Sequence, residues 1–163
     1  SGLESSVKAV ERNDKMPKYC FDFVKEALEG RDKVLTNIGL LGVAYGPGIG
    51  DTRFSPVQDF YSRLSKLFDN IKCHDPYVTL WPELALDIET SLIEFFRNKL
   101  DVLIITTGHK DYLESEIIYQ LIALADKKLL IIDTVGLLDL NKLPPYFMQN
   151  ENFYVLGVGH NRI

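Results

Sequence analysis

The stretch from Tyr45 to Ser55 carries residues that suit the binding of an anion such as a phosphate. Its GPGIG segment, residues 46–50, prevents regular structure and lets a ligand approach the backbone closely. Arg53 can bind a phosphate through two parallel hydrogen bonds, and a structural ion pair with Asp51 is an equal alternative. The loop has neither the GK[ST] of a P-loop nor a regular GxGxxG, so its spacing alone does not identify a ligand.

Other polar residues follow the ends of predicted strands. His109 can act as an acid or a base, but a hydrogen bond within a loop is the favoured interpretation. Asp75 can hold a ribose in a dinucleotide site, although the proline after it favours a simple turn. Thr107 and Asp111 are expected to serve the start of a helix, and Asp133 is expected to be a structural acid at a strand end.

A strand before the glycine-rich loop and a helix after it must position these residues. The apolar run within residues 38–43 is typical of a strand that is covered on both faces. Ser55 is the predicted N-cap, Pro56 the first helical residue, and Gln58 the partner that completes a capping box. Backbone N–H groups and the positive end of the helix therefore converge on one spot, which favours an anion.

Strands and helices alternate along the rest of the chain. Further strands are predicted at 71–74, 101–105, 129–132 and 153–156, with a short edge strand possible within the loop 77–87 and a loop at 141–145. One helix is predicted to be capped by Thr90 or Ser91 and to run through Phe96. A second is predicted from about Asp111 to Ala125, with Leu113, Ile117, Leu121 and Leu124 on one face. This alternation predicts an α/β fold, a Rossmann-like doubly wound parallel sheet of five or six strands with helices on both faces.

An N-terminal helical region precedes this domain. Residues 5–13 can form one or two helical turns, and a helix begins again at Met16-Pro17 and ends at Gly30. We divide the chain into an N-terminal helical segment, residues 1–30, and a Rossmann-like domain, residues 31–163. The segment can contact a partner or pack on its own domain, and the sequence leaves both alternatives open.

Composition limits the possible functions. The 163 residues, 46% hydrophobic and 25% charged, suffice for one domain with a full core. The net charge of −5 argues against a surface for nucleic acid or anionic membranes. The sequence shows neither a signal-peptide pattern nor an apolar run long enough to span a membrane. Cys20 and Cys73 have no metal-binding or redox spacing, which predicts two reduced thiols in a cytoplasmic protein.

Residues 42–56, GVAYGPGIGDTRFSP, resemble the GLAFKxxTxDxRxSP signature that opens the C-terminal, UDP-binding domain of the UDP-glucose/GDP-mannose dehydrogenase family. Four further segments are similar to that family's segments and follow in its order. These are NDKMP at 13–17, CHDPYV at 73–78, DVLIITTGHKDY at 101–112 and the ending FYVLGVGH. The resemblance covers nearly the whole chain.

The resemblance implies roles for three residues. Tyr45 matches the aromatic residue beside the UDP-sugar, where its ring gives an apolar wall and its hydroxyl a donor; covering the sheet end is the alternative. Gly46 stands where the family commonly has lysine, so backbone N–H groups or another residue must replace that charge, or UDP-sugar affinity is lost. Arg53 matches the arginine that faces the cofactor's phosphates across the interdomain cleft. Tyr45 and Gly46 are therefore substrate-binding candidates, and Arg53 is the cofactor-binding candidate.

The family oxidises the sugar's primary alcohol twice, with NAD and a cysteine in a GGxCxPKD-type segment. Neither that segment nor the NAD-binding domain before it occurs here, and no motif assigns the role to Cys73. The resemblance therefore implies a chain that is not catalytic alone, holds no metal, and works with a missing N-terminal NAD-binding domain. We interpret Ser1-Gly2 as a scar of expression on a fragment. The family's long interdomain helix ends in the region of residues 1–30, so a homodimer is possible.

Three functions follow from these observations. The first is the C-terminal UDP-sugar-binding domain of an NAD-dependent nucleotide-sugar 6-dehydrogenase. The second is a stand-alone module that binds nucleotide sugars or serves assembly, which glycine at position 46 favours slightly. The third is an unrelated flavodoxin-like domain for another phosphate ligand, such as a flavin or CoA.

Overall fold

The computed structural model describes residues 16–149 and 152–156. Its helices are α1 Cys20–Ala27, α2 Pro56–Leu64, α3 Leu92–Phe96, α4 Asp111–Glu114, α5 Ile117–Leu124 and α6 Tyr146–Gln149. Its strands are β1 Asn37–Leu41, β2 Asn70–His74, β3 Leu80–Trp81, β4 Leu86–Asp87, β5 Val102–Ile105, β6 Leu130–Asp133 and β7 Phe153–Val155. The helical turns predicted within residues 5–13 lie outside the described part of the chain.

Five of these strands form one parallel sheet in the order β2-β1-β5-β6-β7, which confirms the predicted fold class. Leu41 of β1 pairs with His74 of β2 on one side and with Ile105 of β5 on the other, so three strands end together. The order of strand addition reverses at β1, which places the topological switch point between the carboxyl ends of β1 and β5. The two-residue strands β3 and β4 form a separate antiparallel ribbon.

Both faces of the sheet are covered, because successive residues of each strand point to opposite sides. In β5, Ile104 packs with α1 and α2, whereas Ile105 packs with α3, α5 and α6. The apolar runs 38–41 of β1 and 102–105 of β5 follow from this burial on two sides, as predicted.

The predicted long helix from Asp111 to Ala125 is wrong. The structure divides it into α4 and α5 at Glu116, which has a left-handed φ of 55°. This interruption shifts the phase of the apolar pattern. The face that is buried consists of Tyr112, Ile118, Tyr119 and Ile122, whereas Leu124, expected on the core face, is 84% exposed.

The described part of the N-terminal segment packs on its own domain. Cys20, Val24 and Leu28 of the α1 region lie in the core beside the sheet. The Tyr19 hydroxyl donates to the backbone carbonyl of Leu156, at 2.9 Å. Contact of this segment with a second chain, and the domain boundary at residue 30, stay predictions.

The connection from β6 to β7 contains more helix than expected. Residues 141–145 were predicted as a loop, but a short 3-10 turn covers Leu140–Lys142 and α6 follows the proline pair. Prolines fit the first turn of a helix because their missing N–H has no intrahelical partner there. Within the described residues, no helix has the length and apolar content that crossing a bilayer requires.

Candidate functional site

The loop between β1 and α2 has a buried stem, residues 42–44, and a more exposed tip, residues 45–54. Gly42 begins the stem with a φ of +98°, and a Cβ there would lie 2.4 Å from the Cβ of Thr107. Only glycine therefore lets the end of β1 lie this close to the turn after β5. The Thr107 hydroxyl donates to the carbonyl of Ala44, at 2.9 Å. Thr107 thus holds the stem. The sequence-based expectation that it serves the start of a helix is wrong.

Asp75 fixes the stem from the opposite side, at the end of β2. Its Oδ2 accepts the backbone N–H of Val43 at 2.9 Å and that of Ala44 at 3.1 Å. Its Oδ1 accepts the N–H of Tyr77, at 2.9 Å, which forms the predicted turn. Burial alone would raise the pKa of Asp75, but hydrogen bonds from His109 and from these backbone groups outweigh it and lower the pKa. Asp75 is therefore a structural carboxylate.

His109 joins Asp75 to the tip of the loop. Its Nε2 lies 2.9 Å from the Asp75 Oδ2, and its Nδ1 accepts the N–H of Gly48 at 3.0 Å. The imidazole has no exposed surface and lies between the rings of Tyr77 and Tyr112, at centroid distances of 5.1 and 5.7 Å. The structure thus confirms the predicted hydrogen bond within a loop, but the sequence did not show that Asp75 and Gly48 are the partners.

The tip presents apolar side chains at the carboxyl edge of the sheet. Its base is closed by the N–H of Tyr45, which donates to the carbonyl of Asp51 at 2.7 Å. Tyr45 is 37% exposed, Ile49 is 42% exposed and Phe54 is 91% exposed. Phe54 also has a φ of 60°, in the left-handed region that an L-residue with a bulky side chain adopts at a cost.

Arg53 makes the ion pair that was the alternative to phosphate binding. Its Nε lies 3.0 Å from the Asp51 Oδ1 and its Nη2 lies 2.8 Å from the Oδ2. These hydrogen bonds lower the pKa of Asp51 to about 2. The side chain of Arg53 is still 78% exposed, so it remains at the surface. Its predicted contact with a cofactor stays a prediction.

The structure limits the interpretation of the loop as a cradle of backbone N–H groups. The N–H groups of Val43, Ala44, Tyr45, Gly48 and Arg53 all donate to acceptors within the protein. These five N–H groups already have partners, so a ligand could use them only by breaking a bond within the protein. Four cavities among the described residues are each lined by other segments, so the tip forms an open rim outside these four cavities.

The structure shows that glycine is not required by the backbone at position 46. Gly46 does not have a positive φ, and the nearest atom to an added Cβ is the Ile49 Cδ1, 4.0 Å away. A Cβ is therefore tolerated at this position, although Gly46 itself is buried.

The predicted start of α2 at Ser55 and Pro56 is confirmed, but the capping box with Gln58 does not form, because the Ser55 N–H donates to the Thr52 carbonyl at 3.2 Å. The Ser55 hydroxyl accepts the N–H of Val57 at 3.2 Å and donates to the carbonyl of Val43 at 2.8 Å. The cap therefore also ties the helix to the stem. Asp133 is confirmed as a structural acid, since its two oxygens accept the N–H groups of Val135 and Leu138.

Sequence reasoning missed Phe54, although a signal was available. An apolar residue before an N-cap usually packs on an apolar residue at the fourth helical position. Here that position is Asp59, so Phe54 has no such partner and stays exposed.

His74 lies beneath this site, at the end of β2. Its imidazole is 1% exposed, and its Nδ1 lies 3.2 Å from the Tyr112 hydroxyl. Burial lowers the pKa of His74 to about 4, so the ring is neutral at physiological pH.

The cysteines do not provide a nucleophile. Cys73 is buried, and burial raises the pKa of its thiol to about 12. Burial also raises the pKa of Cys20. A reactive cysteine needs a stable thiolate, so neither of these thiols suits that role. Among the described residues, no three His, Cys, Asp or Glu side chains gather where they could hold a metal ion.

Comparison with known proteins identifies the domain that carries this loop. Residues 39–140 match the UDP binding domain of the UDP-glucose/GDP-mannose dehydrogenase family. The chain belongs to that family. It is 30% identical over 159 residues to the UDP-N-acetyl-D-mannosamine dehydrogenase of Methanocaldococcus jannaschii, an alignment that covers 94% of this chain and 34% of that protein. Family membership excludes the unrelated flavodoxin-like domain considered from the sequence.

Solved structures of the UDP-glucose/GDP-mannose dehydrogenase family have the same fold. The UDP-D-ManNAc dehydrogenase of Pyrococcus horikoshii matches with a TM-score of 0.63 at 24% identity, over 86% of this chain and 31% of that one. The NDP-N-acetyl-D-galactosaminuronic acid dehydrogenase of Methanosarcina mazei matches with a TM-score of 0.62 at 24% identity, over 88% of this chain and 28% of that one. The chain thus spans about a third of the length of the relatives it matches.

Proposed function

We propose that this chain is the UDP-sugar-binding domain of an NAD-dependent nucleotide-sugar 6-dehydrogenase, which oxidises a UDP-sugar to the uronic acid. The observation that carries the proposal is the family's signature loop, placed at the switch point of the sheet as an open rim. Two relatives are named for N-acetylated sugars, which favours a UDP-N-acetylhexosamine over UDP-glucose.

The exposed residues of the tip have the chemistry that this ligand needs. Tyr45 offers an aromatic face and a hydroxyl to the UDP-sugar, beside Gly46. Arg53 is held by Asp51 with its guanidinium at the surface, where it can face a phosphate of NAD bound to another domain. NAD, when bound, accepts the hydride from the sugar's primary alcohol. This chain's part is to bind the nucleotide sugar and to close over it.

A second domain must complete the site. The chain covers about a third of its relatives' length, and its own thiols are buried. The proposal therefore assigns the NAD-binding domain and the nucleophilic cysteine to a segment N-terminal to this chain in the full protein. A cytoplasmic location fits the two free thiols.

Titration of this chain with UDP and UDP-N-acetylhexosamines, followed by amide NMR, tests the binding. We expect shifts centred on the tip, with ADP as the control nucleotide. Tyr45→Ala should weaken UDP binding about tenfold. Tyr45→Phe keeps the aromatic ring and loses only the hydroxyl, so UDP binding should weaken only a few-fold. Equal shifts with ADP, or shifts that avoid the tip, would contradict UDP binding here.

The reading frame ahead of Ser1 tests the dehydrogenase assignment separately. We expect a strand–turn–helix with GxGxxG, followed by a GGxC segment. A frame without both would favour the second candidate, a stand-alone module for nucleotide sugars. The observation that favours this module is the side chain missing at Gly46, in a position where the backbone tolerates a Cβ.

A further inference from the structure

We propose that His109 is a positioning residue that holds the tip of the loop in its ligand-binding shape, and that it does so as a neutral imidazole with the proton on Nε2. The inference rests on the proposed function, because it assigns His109 a part in UDP-sugar binding. His109 has no exposed surface, so it acts through Gly48 and touches no ligand itself.

The two hydrogen bonds of the ring define its protonation state. The backbone N–H of Gly48 is a donor, so the Nδ1 that it contacts at 3.0 Å must carry a lone pair. The Nε2 lies 2.9 Å from a carboxylate oxygen of Asp75, which is an acceptor, so the proton belongs on Nε2. A second proton, on Nδ1, would point at the Gly48 N–H and break the contact with the tip.

The tip needs a fixed contact because its glycine-rich backbone has many accessible conformations. Residues 46–50 contain three glycines, and ordering one residue costs roughly 1–2 kcal/mol of conformational entropy. Gly48 has a φ of +75°, so the chain reverses at the residue that His109 holds. A tip already fixed in the free protein avoids this cost when the ligand binds.

Asp75, to which His109 is bonded, is itself fixed in position. The Asp75 Oδ2 that contacts His109 also accepts the N–H groups of Val43 and Ala44. The ring therefore links the tip to the stem through one buried oxygen. The rings of Tyr77 and Tyr112 pack beside the imidazole and restrict its rotation.

Two substitutions separate the two hydrogen bonds. His109→Asn places an amide oxygen near the position of Nδ1, which keeps an acceptor for Gly48 and loses the bond to Asp75. His109→Gln places an amide nitrogen near the position of Nε2, which keeps the donor to Asp75 and loses the acceptor for Gly48. Each variant is measured by its UDP dissociation constant, its thermal midpoint and the protection of the Gly48 amide from hydrogen exchange.

We expect one variant to lose UDP affinity and the other to lose thermal stability. His109→Gln should keep most of the thermal stability, lose Gly48 protection and bind UDP about tenfold more weakly. His109→Asn should lose thermal stability but keep Gly48 protection and UDP affinity within about twofold. Ring nitrogen shifts of the wild type should show protonated Nε2 and unprotonated Nδ1 at neutral pH.

Three results would overturn the inference. These are a parallel loss of affinity and stability in both variants, affinity unchanged in His109→Gln, or a ring with both nitrogens protonated at neutral pH. A wild-type chain that does not bind UDP would instead overturn the proposed function.

Discussion

The stem and the tip of the same loop are built in opposite ways. The stem is buried, and neighbouring elements bind its backbone through Asp75, Thr107 and Ser55. The tip has few such bonds and exposes large side chains, among them Phe54 with 91% of its surface in solvent. The difference shows how an irregular segment becomes a binding surface. A rigid stem fixes the direction of the chain, so the side chains of the tip can contact a ligand.

Removing the anchor of the stem should have the largest effect. Asp75→Asn replaces one carboxylate oxygen with an NH2 group, so either the Tyr77 N–H on Oδ1 or the three donors on Oδ2 lose their acceptor. We expect the free energy of unfolding to fall by about 3 kcal/mol or more in urea denaturation. Asp87→Asn, at an exposed carboxylate, is the control and should change it by less than about 0.5 kcal/mol. Equal losses in the two variants would show that the stem is not anchored by Asp75.

The layer beneath the stem should make stability depend on pH. The pKa of His74 is about 4 in the folded protein, against an ordinary value of about 6.5. Between these values the unfolded chain takes up a proton and the folded chain does not, so stability falls as the pH falls. The contribution of His74 between pH 7 and pH 5 is about 2 kcal/mol.

His74→Phe tests this dependence, because a similar ring keeps the contacts with Phe95 and Tyr112 and cannot titrate. The difference in unfolding free energy between pH 7 and pH 5 should be smaller in the variant by about 2 kcal/mol. The same slope in both proteins would mean that the pKa of His74 is not lowered by folding.

The tip should tolerate substitutions that would destabilise the stem. At position 46 a substitution is expected to increase the affinity for UDP. Gly46→Lys fits the backbone and restores a cation near the proposed diphosphate. We expect UDP to bind about tenfold more tightly, since a hydrogen bond to a charged group contributes about 1.5 kcal/mol. Gly46→Gln, a long side chain without charge, is the control. An equal gain in both would point to packing and not to charge.

The smallest expected effect concerns the backbone of the tip. Phe54→Gly removes the strain of a left-handed bulky residue and should raise the free energy of unfolding by about 0.5–1 kcal/mol. Ile49→Gly, where φ is not positive, should lower it by a similar amount because glycine makes the unfolded chain more flexible. A lower free energy of unfolding in both variants would show that the Phe54 side chain stabilises the isolated domain.

The sequence predicted the fold and the location of the loop well, for physical reasons. Apolar runs without alternation occur where a strand is covered on both faces, and β1 and β5 have this pattern. Ser55 and Pro56 predicted the start of α2 correctly, because capping depends on neighbours in the chain. The division between α4 and α5 was not predicted, since glutamate is not a residue type that indicates the left-handed conformation found at Glu116.

The partners within the site were harder to predict than its position. Asp75 and His109 are separated by 34 residues, and only the parallel sheet brings their strand ends together. The sequence therefore indicated two separate structural residues and missed the link to Gly48. The use of the backbone N–H groups was also missed, because a glycine-rich loop looks the same whether its donors face a ligand or a buried carboxylate.

The bond from the Tyr19 hydroxyl to the Leu156 carbonyl has a consequence for the order of folding. It joins residues 137 positions apart, and the ring of Phe23 likewise packs on Tyr154 of β7, at 5.6 Å between centroids. On the ribosome, α1 is made early but has no surface at this end of the sheet until β7 has emerged. We therefore expect the packing of Tyr19 and Phe23 to be completed last during synthesis, and these two rings to be available to chaperones until then.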